Sequence, residues 1–376
     1  MFKRYYDDFE KYLKPGKVLV IYGSRQVGKT TLLQNFLAHT PLKYKLESGD
    51  NIRTQQVLGS QDFSRILDFV AGYELLAIDE AQRIPQVGLG LKIIVDQKPD
   101  LRVIATGSSS FELAGQIGEP LTGRKRTLTL FPMSQLELAK IYNPHELREK
   151  LNNWLVFGAY PAVLSVPTKG EKMALLEEIV NSYLLKDILE MEKVKGAKVL
   201  MDLLRLLAFQ VGSEVSLSEL GGQIGIDYKT VARYLDLLEK TFIIFCLRGY
   251  SRNLRKEITK KNKYYFYDNG IRNAIISNFN EMELRDDGGK LWENFLVTER
   301  LKSQEYQEIH ANNYFWRTWE QKEIDWIEER EGKLFGCEFK SGEGKAKIPK
   351  AFLAAYPGSV VETIRRDNYL EFLGVK

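Results

Sequence analysis

The stretch from Leu19 to Thr31, LVIYGSRQVGKTT, limits what this chain can fold into more than any other. An apolar, β-branched run stops at Gly23, four residues pass to Gly28, and Lys29, Thr30 and Thr31 follow directly. This is G-x-x-x-x-G-K-[ST] set between a strand-like and a helix-like segment, the context in which the pattern has a mechanism. Glycine reaches φ > 0 at little cost. A loop through Gly23, Ser24, Arg25, Gln26, Val27 and Gly28 can therefore turn its backbone N–H groups towards phosphate oxygens. A helix beginning near Lys29 points its positive end at the same anion. Lys29 then reaches the β- and γ-phosphates of ATP, and the Thr30 hydroxyl, next to Thr31, holds Mg²⁺.

A second apolar strand, LLAIDEAQ at 75–82, delivers Asp79 and Glu80 to the carboxyl edge of a sheet, where open α/β sheets bind ligands. Asp79 suits the Mg²⁺ shell, and Glu80 suits the base that activates water. The other reading of the two acids is a pair at a helix start. A further strand, LRVIATGSSS, ends in Thr106, Ser108 and Ser109, hydroxyls placed to sense a γ-phosphate or to make a plain turn. LTGRKR then carries Arg124, Lys125 and Arg126. Arg124 could complete a neighbouring subunit's site, or the three could form a solvated basic turn.

At 376 residues the chain is too long for one small core, so two or three domains are expected. A net charge of +4 permits nucleic-acid contact without arguing for it. Cys246 and Cys337 lie far apart, which speaks against a disulfide framework and a zinc ribbon. MFKRYYDDFEKYL at the start lacks the apolar core of a secretory signal, and no window has the apolar length of a membrane helix. The expectation is a cytoplasmic protein with no membrane partner.

Strand-like runs at 17–22, 44–47, 75–79, 101–106 and 127–131 alternate with helical patterns starting at Lys29, near Ser60 and near Leu89. That alternation predicts a parallel sheet covered by helices over residues 1–135. Residues 136–199 read as a helical lid or connector, broken at Gly158–Pro161 and around Pro167–Gly170. In 200–262, Ser216 and Glu219 offer a capping box, a helix ends near Gly225, Asp227 caps the next helix, and FIIFCLRGY is strand-like. That order predicts a winged helix-turn-helix. Residues 263–376 read as a small α/β domain.

Together GSRQVGKTT, IDEAQRIP, ATGSSSFEL, GRKRTLTLFPMS and VFGAYPAV resemble the prokaryotic AAA-type ATPases. KYYFYDNGIRNA, LWENFL and FWRTWEQKEIDW extend the resemblance over essentially the whole chain. In that family a C-terminal domain of unknown function with a restriction-endonuclease-like fold follows the ATPase. The resemblance implies an extra sheet strand between the two nucleotide motifs and, as one possibility, a homo-oligomer. It implies no particular cellular role.

EIDW places Asp325 on a strand, and CEFKS places Glu338 and Lys340 on one face of another, with Glu293 on the helix LWENFLVTERL. An acid on a helix, an acid on one strand and E-x-K on the next match the restriction-endonuclease-like pattern. Asp325 and Glu338 could chelate a second divalent ion while Lys340 orients water. The opposing reading is a salt-bridged relic used for binding or packing. From Arg248 to Lys263 the chain carries seven basic residues and one acid, with Arg255, Lys256, Lys260 and Lys261 among them. Lys229, Thr230 and Arg233 fall opposite Val231, Leu235 and Leu238 on the preceding helix, as DNA-contacting residues should. The leading expectation is an ATPase coupled to a DNA-directed, nuclease-like domain. Its rivals are a nucleotide-gated switch that cuts nothing and a binding regulator with a degenerate ATPase.

Overall fold

The computed structural model describes residues 2–108, 120–184, 196–251, 261–318, 320–342 and 349–375. The chain divides into two compact units, Met1–Phe131 with Lys240–Phe242, and Pro132–Glu239 with Ile243–Lys376.

The first unit runs β1 (Val18–Tyr22), α1 (Lys29–His39), β2 (Tyr44–Ser48), α2 (Ile52–Leu58), α3 (Phe63–Phe69), β3 (Leu75–Asp79), α4 (Val87–Gln97), β4 (Arg102–Gly107) and β5 (Lys125–Thr129). All its strand pairs are parallel, in the order β2-β3-β4-β1-β5. β1 is buried at every residue, and β3 and β4 at all but one end residue, as strands covered on both faces should be. The edge strand β2 leaves Tyr44 and Leu46 exposed. β4 lies between β1 and β3, so a strand does separate the two motif-bearing strands.

The helix expected near Ser60 starts at Phe63, because the Asp62 side chain accepts from Arg65 N and sets the boundary. Helix α2, capped by Asn51, has no counterpart in the sequence reading, since IRTQQVL is short and mostly polar. The strand expected at 127–131 begins two residues earlier, at Lys125, where it pairs with β1.

The second unit opens with short helices, α5 (Gln135–Leu138), α6 (Pro144–Glu149), α7 (Leu151–Phe157), α8 (Pro161–Ser165) and α9 (Lys169–Glu178). Then come α10 (Ala197–Phe209), β6 (Glu214–Val215), α11 (Leu217–Ile224), α12 (Tyr228–Lys240), β7 (Ile244–Gly249) and β8 (Asn262–Phe266). The Ser216 hydroxyl accepts from Glu219 N, and Asp227 Oδ1 accepts from Lys229 N and Thr230 N at 2.9 and 3.0 Å. α13 (Asn269–Ile275) and α14 (Gly288–Tyr306) precede β9 (Asn312–Arg317), β10 (Glu323–Arg330), β11 (Lys333–Phe339), α15 (Lys350–Ala355), β12 (Val360–Ile364) and α16 (Tyr369–Phe372).

The seven strands form one sheet ordered β12-β11-β10-β9-β7-β8-β6. β7 is the join, antiparallel to β8 and parallel to β9. β8 starts at Asn262, so the hairpin spans the position where the sequence suggested a boundary between 262 and 263.

A buried polar knot fixes the YDNG turn. Asp268 Oδ2 accepts from Ala159 N at 2.7 Å, and the Asn273 amide donates to the carbonyls of Leu155 and Val156. Gly158 stands against the Asp268 carboxylate at φ +67°, where a Cβ would collide with that side chain. We expect Gly158→Ala to cost about 2 kcal/mol or more, read as a lower urea midpoint for this unit. Gly170→Ala, at a position with nothing within 4 Å and no left-handed backbone, should leave the midpoint within error.

Candidate functional site

The loop between β1 and α1 is held from behind by groups the motif does not contain. Arg4 is almost fully buried and donates from Nη1 to Val27 O and from Nη2 to Phe131 O, at 2.5 and 2.6 Å. Gly23 is where only glycine fits, because a Cβ there would strike the Leu130 carbonyl. Gly28 caps α1 at φ +96°, and Gln26 is left-handed at φ 62°. Lys29 Nζ is folded over the loop, donating to Gly23 O and Ser24 O at 2.8 Å each.

The second motif meets the first directly. Thr30 Oγ1 donates to Asp79 Oδ2 at 2.7 Å, and Thr106 Oγ1 donates to Asp79 Oδ1. Thr106 also accepts from Glu80 N at 3.2 Å, so the end of β4 fixes both acids. Glu80 is itself left-handed, φ 53° and ψ 42°, which turns its carboxylate away from the line of β3. Gln82, buried, donates from Nε2 to Glu80 Oε2 and to Ser108 Oγ, the latter at 3.1 Å. Hard oxygens of Thr30 and Asp79 within hydrogen-bonding distance suit Mg²⁺, which keeps most of its waters and asks few ligands of a protein.

Lys29, Thr30, Asp79, Glu80 and Ser108 thus come together, and Ser24, Arg25 and Thr31 sit in the loop and first turn. Arg124 does not join them. It precedes β5 at the end where Val18 N donates to its carbonyl, a strand's length from the loop, and its Nε pairs with Asp96 at 2.6 Å. The basic turn lies at the amino edge of β5, away from this chain's own loop. Ser109 lies outside the described residues. Thr106 is among the hydroxyls that the sequence singles out, whereas Arg4 and Gln82 carry no motif that could have announced them.

In the second unit the four expected residues also converge. A bulge in β10 sets Asp325 and Trp326 against the single Phe315 of β9, the device that re-aims a side chain. Trp326 faces Cys337 across the ladder, which leaves Asp325 and Glu338 beside each other. Asp325 Oδ2 accepts from Phe339 N at 2.8 Å, and Lys340 Nζ sits 3.1 Å from Glu338 Oε2. Glu293 Oε1, on α14, accepts from Tyr265 OH at 2.7 Å and Lys263 Nζ at 3.2 Å, and Lys263 also pairs with Glu323.

Burial, then the neighbouring Glu293 and Glu338, push the Asp325 carboxyl well above its usual range, against the pull of Lys263. Burial likewise raises Glu338, with Lys340 opposing. Burial works against the charge of Lys263, but Glu293, Glu323 and Asp325 outweigh it and hold the ammonium above its ordinary value. Among the described residues no group of three or more His, Cys, Asp and Glu is arranged to hold a metal ion. Asp325 and Glu338, expected from the sequence to chelate a divalent ion, lie side by side, with the ammoniums of Lys263 and Lys340 among the carboxylates. Lys263, which ends the basic run expected to face phosphates, is instead buried among carboxylates, and Tyr265 and Glu323 escaped the sequence reading because they lie on β8 and at the start of β10, outside the four-residue pattern.

The raised carboxyls set the sign of a pH effect. Between the unfolded carboxylate range, near pH 4, and the raised folded value, the native state binds more protons, so stability falls as pH rises. Asp325→Asn should remove its share. The variant should gain on wild type with increasing pH across that window, by up to about 1.4 kcal/mol per pH unit, in urea titrations.

Residues 15–139 match the family model described as "AAA domain". Residues 148–282 and 288–369 match models described as "Domain of unknown function (DUF8612)" and "Domain of unknown function (DUF4143)". An uncharacterized protein of Mycobacterium tuberculosis is 26% identical over 328 residues, 86% of this chain and 70% of that protein. One of Methanocaldococcus jannaschii is 23% identical over 342 residues, 85% and 74% of the two chains. A solved Walker-type ATPase of Pyrococcus abyssi is 17% identical with a TM-score of 0.45, covering 69% of this chain and 91% of that one. No helix among the described residues is long and apolar enough to cross a membrane. The AAA-domain match falls on the unit whose parallel sheet carries the glycine-rich loop, and it supports a P-loop ATPase there.

Proposed function

We propose that the first unit binds ATP with Mg²⁺ and hydrolyses it, and that the nucleotide state is coupled to a DNA-directed second unit. The observation that carries the reading is the chain Thr30–Asp79–Thr106–Glu80, which joins the phosphate loop to a carboxylate suited to activating water. The loop N–H groups and α1 receive the phosphates, and Lys29 exchanges the carbonyls of Gly23 and Ser24 for phosphate oxygens. Mg²⁺ held by Thr30 and Asp79 would neutralise developing charge on the phosphates. Glu80 takes a proton from the attacking water, and Gln82 fixes its orientation and ties it to Ser108.

The DNA reading rests on α10 to β8, whose order of helix, short strand, two helices and hairpin is that of a winged helix-turn-helix. Lys229 and Arg233 are exposed on α12, with Val231, Leu235 and Leu238 buried on its other side. Arg255, Lys256 and Lys260 lie outside the described residues, and Lys261 is exposed. A homo-oligomer remains part of the proposal. For the last domain, the ion pairs of Lys263 and Lys340 with the carboxylates favour a nucleotide-gated binding switch over a metal-dependent nuclease.

Phosphate release tests the first unit. Glu80→Gln should retain ATP binding and lose about 10²-fold or more in turnover, whereas Lys29→Ala should lose binding itself. Wild-type turnover in Glu80→Gln would refute its role as the base. Lys229→Glu with Arg233→Glu should weaken duplex DNA binding and lower the salt slope by roughly two units of log K per log salt. An unchanged slope would take α12 out of the DNA contact.

A further inference from the structure

The carboxylate cluster contains two ammonium groups that differ in one respect. Lys340 is 41% exposed and pairs with Glu338. Lys263 is 2% exposed, reaches in from the start of β8, and is confined beside the Phe315 ring, with Nζ 5.3 Å from its centroid. Its ammonium is shared between Glu293, on α14, and Glu323, at the start of β10. A divalent ion in this cluster would draw on the same carboxylates. Glu293 Oε1 already serves Lys263 and Tyr265, and Asp325 Oδ2 already serves Phe339 N.

We propose that Lys263 is the resident cation of this cluster: its tethered ammonium takes the position of a divalent ion among Glu293, Glu323 and Asp325 and excludes that ion. The inference rests on reading Glu293, Asp325, Glu338 and Lys340 as one site. Carboxylates gathered this closely need positive charge to remain buried, and lysine supplies it without exchange with solvent. A second cation placed against this ammonium is repelled, and Lys263, 2% exposed, is enclosed by its partners. The cluster then works as a charge-balanced joint between the β7–β8 hairpin, α14 and the C-terminal strands. Removing the ammonium should expose a latent divalent site.

The test uses the full chain in a Lys29→Ala background without nucleotide, with Mn²⁺ as the probe and bound ion counted by electron paramagnetic resonance. The parent protein should bind no Mn²⁺ at this cluster. Lys263→Met, and Lys263→Gln should the methionine variant fold poorly, should take up one ion per chain and melt higher when it is added. Lys263→Arg should stay free of metal. Adding Asp325→Asn to Lys263→Met should abolish the uptake. Mn²⁺ bound by the parent and lost on Asp325→Asn would overturn the proposal, because ion and ammonium would then coexist. A folded Lys263→Met or Lys263→Gln protein that takes up no ion would overturn it as well. Uptake by Lys263→Met that survives both Asp325→Asn and Glu338→Gln would instead break the reading of the four residues as one site.

Discussion

One contact, the Thr30 hydroxyl on the Asp79 carboxylate at 2.7 Å, joins the two motifs across the single strand β4 that separates β1 from β3. β1 and β3 are not neighbours, so the residues they deliver would be held apart if nothing filled the space above β4. Thr106, at the end of β4, fills it. Its hydroxyl satisfies the second oxygen of Asp79 and receives the N–H of Glu80, which holds Glu80 in its left-handed turn. Strand order thus becomes side-chain geometry through one buried threonine. Gln82 and Arg4 extend the same logic outwards, one steadying the Glu80 carboxylate and the other the back of the glycine loop.

The second unit solves a different problem. A set of acids is brought together on strands and a helix beside an apolar core of Tyr250, Trp316, Ile324, Ile327, Leu334 and Phe352. The bulge at Asp325 turns one acid towards the others, and two lysines return part of the charge. Arg317 adds a guanidinium beside Glu323, and burial, reinforced by the neighbouring acids, raises the proton affinity of Asp325 and Glu338. Such a cluster is costly unless its groups are paired, so the positions of the bases matter as much as those of the acids.

Legibility followed the range of the interactions. The phosphate loop, β3 with its terminal acids, and the start of α1 are local patterns, and the structure forms them where the sequence places them. Four acids and bases of the C-terminal domain were also readable, because E-x-K on a strand fixes a shared face by period alone. Lys263 was not, since what makes it important is its neighbours across the sheet, Glu293 and Glu323, distant in sequence. Arg124 lies at the amino end of β5 and pairs with Asp96, a placement that a basic run alone does not reveal.

The parallel pairing of β7 with β9 has a consequence for how this chain can be divided. In sequence, the helix-turn-helix stretch and the strands after it look like beads on a string, separable at residue 262. In the sheet, a cut there would strip β7 of its partners on both sides and leave β9 with an open edge. Unpaired strand edges are templates for intermolecular addition, so each half would be prone to aggregate. The two stretches are obliged to acquire their structure as one cooperative body, and insertions at this junction carry a cost that an interdomain linker would not.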